Sequence, residues 1–535
     1  MRKKITFTAV ACIALIMLSY SLKFIHFNDP YYGAYLSRQL QTMSTIDAYM
    51  VDGIDLMHPR TNYAGWPGYL VFEFPAFQAM AAFVSGFTHN SIVTTRILNL
   101  IFGTLSILLV YGISRFWFDR RVAAYSSLFF AWTPLNIMFH RSTMIDIFCV
   151  FLALASQFIL MHWIIKRKWW LNILFFLTST LCVLIKPPYF LPVAVLLAIQ
   201  LIRESWPLSW KKLGTSVRQY SAIFFSLFVT AGVMIYWLGL TQSNMPGAGV
   251  FVHLGLGQLL NPQYYFKFLY RFLEHYVTPF NALLFMTGIF LLWQKDRTTS
   301  RIQLLVAPIL YYALFPNVNS PHSYYSLIMI PYFAIITGYG AGQIEEMFQR
   351  EGIIKNVSIS RFLIAGISIL TCTFMFLRGW TSFMVLPQQR YSQIAQEAGT
   401  RLDPMSYSVV YINHQGNFAL WEYLRNQPVL YLKSFFRNLS DEELKNKDSD
   451  SPLVRSAVLY ALKQYGGMEY VNSVDEIKVD ETVKIYNGHL RYILFYLFDN
   501  KDAIRMNMAS VNGRLIYESK DWMIYDLAEV KYKLH

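Results

Sequence analysis

The amino-acid sequence predicts a mainly α protein: a polytopic transmembrane helix bundle followed by a small C-terminal α/β domain. Three observations predict it. Apolar runs of roughly 17 to 21 residues recur from Ile5 to about Leu377, the length that crosses a bilayer core of ~30 Å. Only 15% of the 535 residues are charged and 55% are hydrophobic, whereas soluble domains carry about 25% charged residues. After about Arg378 the long apolar runs stop and charge returns. The expected division is therefore residues 1–385 in lipid and residues 386–535 in water.

The spans follow from the chain's charge pattern. Met-Arg-Lys-Lys precedes the run Ile5–Leu22, whose length and lack of a small-x-small cleavage site indicate an uncleaved first span with its N-terminus in the cytoplasm. Two stretches then compete for the second crossing, Tyr69–Phe87 and Ile92–Ile113. Choosing only the latter puts Arg115, Arg120 and Arg121 inside. It does the same for Lys166-Arg167-Lys168, for Arg203, Lys211, Lys212 and Arg218, for Lys295, Arg297 and Arg301, and for Arg350, Lys355 and Arg361. Tyr69–Phe87 also holds Glu73 and Pro75, both poor in a lipid-facing span, and reads as juxtamembrane or re-entrant. The remaining spans fall near 122–139, 145–163, 171–186, 188–202, 220–240, 279–293, 302–316, 324–342 and 362–378. That gives about eleven crossings, with the C-terminal domain outside the cytoplasm. The basic loops on the cytoplasmic side read as topology signals and little else.

Composition excludes some functions. The net charge of +14 is spread through short clusters between spans, where a nucleic-acid protein would gather it on one soluble face. Cys12, Cys149, Cys182 and Cys372 all lie in apolar runs, so no disulfide framework or thiolate metal site is expected. No two-His spacing on one helical face supports a metal, and no cofactor is expected.

The tail contains strand-like stretches at Ser408–Ile412 and Arg491–Phe498. Arg514–Glu518 and Trp522–Asp526, joined by Ser519-Lys520-Asp521, form an expected terminal hairpin. Ser440 with Glu443 forms a capping box for a helix over Ser440–Lys447. It has no catalytic motif.

Ionisable residues in the bundle gather on the expected outer side. The first outer loop opens with His26-Phe-Asn-Asp29-Pro-Tyr-Tyr-Gly-Ala-Tyr-Leu-Ser-Arg38 and continues through Asp47, Asp52, Asp55, His58 and Glu73. A second carries Lys267, Arg271, Glu274 and His275; short turns carry His140-Arg141, Asp146, Lys186 and His322. Ionisable groups at membrane depth are candidate functional residues by default. Asp29 suits a general base facing a lipid-borne substrate, and Asp29-Pro30 equally suits an N-cap with proline at the first helical position. Arg141, Lys186 and Arg271 are equally readable as interfacial cations snorkelling to headgroups.

These segments, in this order, resemble the membrane-embedded glycosyltransferases of the GT-C superfamily. The nearest branch is protein O-mannosyltransferase-like and includes the lipid A aminoarabinose transferases. Asp29 stands at that family's first Asp and Ser37-Arg38 at its Ser/Ala-Arg pair; Pro30 departs from the family's Glu. His58-Pro59 with Gly65-Trp66-Pro67-Gly68-Tyr69 resembles its juxtamembrane segment, and Thr95-Arg96 resembles the start of its second span. Pro134, Arg141 and Asp146 resemble its Pro, Arg and Asp pattern, Lys186-Pro187 its span-closing lysine, and His322-Ser-Tyr324-Tyr325 its His-Tyr-Tyr segment.

The resemblance covers about residues 5–380. It implies a sugar donor on a polyprenyl phosphate and an acceptor outside the cytoplasm (a cell-envelope glycan, lipid or protein); with no endoplasmic reticulum retention signal in the sequence, a bacterial cytoplasmic membrane is the expected location. Asp29 and Asp146 are then the expected catalytic residues. Arg141, Lys186, Arg271, His322, His58, Tyr324 and Tyr325 are expected to bind substrate or phosphate, and Asp146 to orient the site or pair with Arg141. The cations would stabilise the leaving lipid phosphate. The rival readings are a lipid-linked sugar flippase, which predicts internal repeats and mid-membrane charges, and a non-catalytic membrane scaffold. The tail lacks the Trp-Trp-Asp motif of oligosaccharide-transferring enzymes.

Overall fold

A computed structural model describes residues 7–25, 27–28, 35–60, 73–207, 209–242, 256–296, 299–320, 322–354 and 356–379, together with 407–412, 429–431, 490–496, 500–518 and 522–527 of the tail. The chain divides into two compact units. One comprises Met1–Asn28, Thr95–Leu238 and Val250–Val385; the other comprises Asp29–Thr94, Gly239–Gly249 and Leu386–His535.

The described helices are α1 (Phe7–Lys23), α2 (Leu36–Asp52), α3 (Ala76–Thr88), α4 (Ser91–Trp117), α5 (Arg120–Trp132), α6 (Pro134–His140), α7 (Asp146–Lys166), α8 (Trp169–Ile185) and α9 (Leu191–Ser205). They continue with α10 (Trp210–Gln219), α11 (Ser221–Gln242), α12 (Pro262–Arg271), α13 (Pro279–Asp296), α14 (Gln303–Leu314), α15 (Pro316–Asn319), α16 (Ile330–Arg350) and α17 (Val357–Arg378). Helices dominate because lipid offers no partner for a backbone N–H or C=O, so each segment must satisfy its own. Side chains close several ends. Asp119 accepts from Val122 N at 2.8 Å to start α5, and Asn356 accepts from the amides of Ser358 and Ile359 to start α17.

A helix stands at every expected span. By length and composition, however, six described segments suffice to cross a membrane: Ser91–Trp117, Asp146–Lys166, Pro187–Ser205, Ser221–Leu240, Ser323–Arg350 and Val357–Arg378. Two bent pairs raise this to 8: α5 with α6, bent 63° at Pro134, and Pro262–Tyr276 with α13, bent 106°. α1, α8 and α14 are apolar but shorter, as is α3, the stretch expected to be juxtamembrane.

α16 is the most deeply buried span of the first unit. Glycines let its neighbours approach. A Cβ on Gly338 would collide with Ser126 of α5, one on Gly340 with the Leu284 carbonyl of α13, and one on Gly288 with the Ile336 carbonyl. Small residues at such contacts are how helices pack when no hydrophobic effect drives them together.

In the second unit, α2 and α3 are joined by an ion pair. Arg38 donates to Glu73 at 2.6 Å, and Gln78 donates to the other Glu73 oxygen at 3.0 Å. The tail forms a five-stranded sheet in the order β2-β1-β3-β5-β4, from β1 (Tyr407–Ile412), β2 (Val429–Tyr431), β3 (Leu490–Tyr496), β4 (Arg514–Glu518) and β5 (Trp522–Asp526). β1 pairs parallel with β2 and β3, while β5 pairs antiparallel with β3 and β4. α18 (Lys501–Ser510), capped by Asn500, buries Ile504 and Met508; Ile493 and Ile524 of the sheet are likewise buried. The expected strands and terminal hairpin are present. The expected helix over 440–447 lies outside the described residues.

Candidate active site

Asp146 is the first residue of α7, and Lys186 follows the last residue of α8. Pro187 and Pro188 end α8 there, because proline cannot continue the helical ladder. The chain turns instead through a 3₁₀ segment, Pro187–Phe190, which carries Tyr189. A second 3₁₀ segment, Ser323–Met329, carries Tyr324 and Tyr325 into α16.

These pieces meet in one buried cluster. Lys186 Nζ donates to Asp146 Oδ1. Tyr189 donates its hydroxyl to the same oxygen at 3.1 Å and also lies 2.8 Å from the Tyr324 carbonyl. The ammonium faces three aromatic rings, with centroids at 4.1 Å for Tyr325, 4.7 Å for Tyr324 and 4.8 Å for Tyr189. Ring quadrupoles stabilise a desolvated cation at such distances. Asp146 Oδ2 is buried and has no hydrogen-bond partner. Buried polar atoms are nearly always paired, so this carboxylate oxygen beside an ammonium retains the capacity to accept one more donor.

The aromatic segment is held from several directions. Tyr311 donates to the Tyr325 carbonyl at 2.7 Å. Tyr276 donates to Ser326 Oγ at 2.9 Å, and Ser326 in turn donates to Asn319 Oδ1 at 3.1 Å. His322 stacks on Tyr324 with ring centroids 5.2 Å apart. Arg271 donates to the Asn319 carbonyl at 2.6 Å. It lines a cavity of about 10 Å³ with Tyr264, Lys267, Tyr276, Ser320 and Ser326, room for about one water.

The structure thus groups Asp146, Lys186, Tyr324, Tyr325 and His322, while Arg271 at the end of α12 bonds the Asn319 carbonyl just before that aromatic segment. One sequence-derived pairing changes. Asp146 pairs with Lys186, not with Arg141. The Arg141 guanidinium is buried and donates to the carbonyls of Ile25 and Leu22 at the end of α1, where helix carbonyls lack intrahelical partners. Arg96 likewise donates to the Phe27 carbonyl. His58 belongs to the other unit. It is exposed and bonded to Asp55 at 2.9 Å, and that bond holds the Asp55 carboxyl below its ordinary range. Asp29 lies outside the described residues.

Tyr189, Tyr276 and Tyr311 were missed from the sequence. In a chain with 36 tyrosines, no spacing separates them from belt residues. Two further buried groups stand near the C-terminal end of α1. Lys23 Nζ has no hydrogen-bond partner and lies 4.2 Å from the Tyr20 ring; both nitrogens of His140, packed against Gly103, are also unpartnered.

Comparison with known proteins bears on the fold. Residues 73–237 match the family described as dolichyl-phosphate-mannose-protein mannosyltransferase. ArnT from Cupriavidus metallidurans, solved bound to undecaprenyl phosphate, is similar over 99% of this chain and 100% of its own, with a TM-score of 0.62 at 13% identity. The oligosaccharyltransferase AglB from Archaeoglobus fulgidus, solved with an inhibitory peptide and a dolichol-phosphate, is similar over 92% of this chain and 70% of its own, with a TM-score of 0.51 at 12% identity. A search of curated protein sequences gives no match. The fold is that of the GT-C superfamily, as its motif order implied. Within that superfamily, the family model and both structural matches are glycosyltransferases of GT-C type.

Proposed function

We propose that this protein is an inverting glycosyltransferase that moves a sugar from a polyprenyl-phosphate carrier to an acceptor on the extracytoplasmic side of a cell membrane. The observation that carries the reading is the buried Asp146–Lys186 pair in its cage of tyrosines, with one carboxylate oxygen left open. The lipid phosphates bound in the ArnT and AglB structures support the donor class.

In the proposed reaction the acceptor oxygen attacks the anomeric carbon from the face opposite the phosphate. The bond from that carbon to the phosphate oxygen breaks, its electron pair leaves with the lipid phosphate, and configuration inverts. Asp29 takes the acceptor proton, a role resting on its place in the sequence motif. Lys186 and Arg271 stabilise the charge that develops on the leaving phosphate; donors aimed at developing charge contribute roughly a hundred- to a thousandfold each. Asp146 holds Lys186, and its open oxygen accepts a sugar hydroxyl. Tyr324, Tyr325 and His322 form the wall against which the sugar lies.

The test is transfer in liposomes from a panel of radiolabelled polyprenyl-phosphate sugars. The reading expects release of polyprenyl phosphate from one donor by the wild type, and loss of about a hundredfold or more in Asp29→Asn. Movement of intact lipid-linked sugar across the bilayer without release overturns it in favour of a flippase. Equal turnover by wild type and Asp29→Asn removes Asp29 from the mechanism.

A further inference from the structure

We propose that Asn99 is a positioning residue for the Asp146–Lys186 pair; the proposal rests on the glycosyltransferase reading above. Asn99 lies within α4 and is fully buried. Its amide nitrogen donates to two carbonyls at once, Ser142 at 2.8 Å and Met144 at 2.7 Å. Both belong to the turn at 141–145 that joins α6 to α7 and delivers Asp146 as the first helical residue.

Chemistry makes this residue specific. The carbonyls after a helix end have no intrahelical partner, and water is scarce in this buried setting. An asparagine amide carries two N–H donors on one nitrogen, so a single side chain satisfies both carbonyls and fixes their separation. The Oδ1 atom of Asn99 has no partner, so only the donating end is used. Arg141, the first residue of the turn, bonds the Ile25 carbonyl at the end of α1. The turn is therefore tied to α4 and to α1, while Lys186 arrives independently on α8. The relative placement of Asp146 and Lys186 depends on those ties, and misplacement by about 1 Å costs on the order of a hundredfold in rate.

The discriminating variant is Asn99→Asp, nearly identical in shape but left with no donor when ionised and a single O–H when protonated, so it cannot serve both carbonyls. Asn99→Ser, which retains one donor, is the milder companion if the first folds poorly. Two readouts are taken on full-length protein: release of polyprenyl phosphate from a polyprenyl-phosphate sugar, and amide hydrogen exchange across 141–147. Asn99→Asp is expected to lower kcat about thirtyfold with KM for the donor within about threefold, and to speed exchange in that turn. Asn99→Ser should fall between it and the wild type. In a Lys186→Met background, Asn99→Asp should cost less than about twofold further, because residues acting through one another are not additive. Full activity in Asn99→Asp, or full additivity with Lys186→Met, overturns the proposal. If Lys186→Met itself retains full activity, the catalytic reading falls instead. Exchange then decides whether Asn99 holds the turn, and unchanged exchange overturns that as well.

Discussion

Two buried carboxylates sit near opposite ends of α16, and they are finished differently. Glu345, toward its C-terminal end, has both oxygens occupied. Oε1 accepts from Arg361 Nε at 3.0 Å and Gln349 Nε2 at 3.2 Å, with Arg121 at 4.0 Å; Oε2 accepts from the Tyr125 hydroxyl at 2.9 Å. Glu346 adds a second contact to Arg121 at 3.1 Å. Asp146, beside the segment that enters α16, shares one oxygen between Lys186 and Tyr189 and leaves the other vacant. Ile330 and Glu345 are separated by about 22 Å of helix at 1.5 Å per residue. A saturated carboxylate ties α5, α16 and α17 together. An unsaturated one costs free energy to bury, and under the proposed function its open oxygen accepts a sugar hydroxyl.

This contrast orders the expected effects of substitution. The largest concerns Lys186→Met, which should lower turnover per folded molecule about a hundredfold or more, as read by single-turnover kinetics normalised to the folded fraction, beside a stability loss of about 3 to 5 kcal/mol from leaving Asp146 buried without its partner. Wild-type turnover per folded molecule would make this pair as purely structural as that of Glu345. Next, Glu345→Gln should destabilise by about 3 to 5 kcal/mol, the cost of breaking a buried ion pair, while each folded molecule keeps wild-type turnover. Denaturation monitored beside activity per folded fraction checks this. Tyr189→Phe removes the hydroxyl bonded to Asp146 and Tyr324 and should cost about tenfold in kcat, with about 1 to 3 kcal/mol of stability for the groups left unpaired.

The smallest effect lies outside both clusters. The Asp55 carboxyl is depressed by the hydrogen bond from His58, so the stability it contributes is present above its unfolded-state range and is lost as pH falls through its folded-state value. The difference in midpoint between wild type and Asp55→Asn should therefore be small at neutral pH and vanish in acid. A difference that grows on acidification would contradict that sign.

Much of the fold was legible because lipid imposes it. The span positions follow from apolar run length, and the terminal hairpin from alternation on either side of Ser519-Lys520-Asp521. Span sufficiency was not legible, because a proline such as Pro134 bends a crossing that composition reads as continuous. Motif order singled out Asp146, Lys186, His322, Tyr324 and Tyr325, which the structure brings together. Their pairing was not legible, since Asp146 and Arg141 are neighbours in sequence while Lys186 arrives from another helix. Glu345 was overlooked for a related reason. Arg121 and Arg361 read as topology charges, and only the packing of α5 and α17 on α16 turns them into ligands of a buried carboxylate. Asn99 carried a weak signal, an amide inside an apolar span, where polar groups need a partner.

The most direct test of this account compares Asp146→Asn with Glu345→Gln in one assay of polyprenyl phosphate release, each normalised to folded protein. The account predicts that Asp146→Asn loses about a hundredfold in turnover and that Glu345→Gln, however unstable, turns over within about twofold of the wild type. Equal losses in the two variants, or full activity in Asp146→Asn, would contradict it.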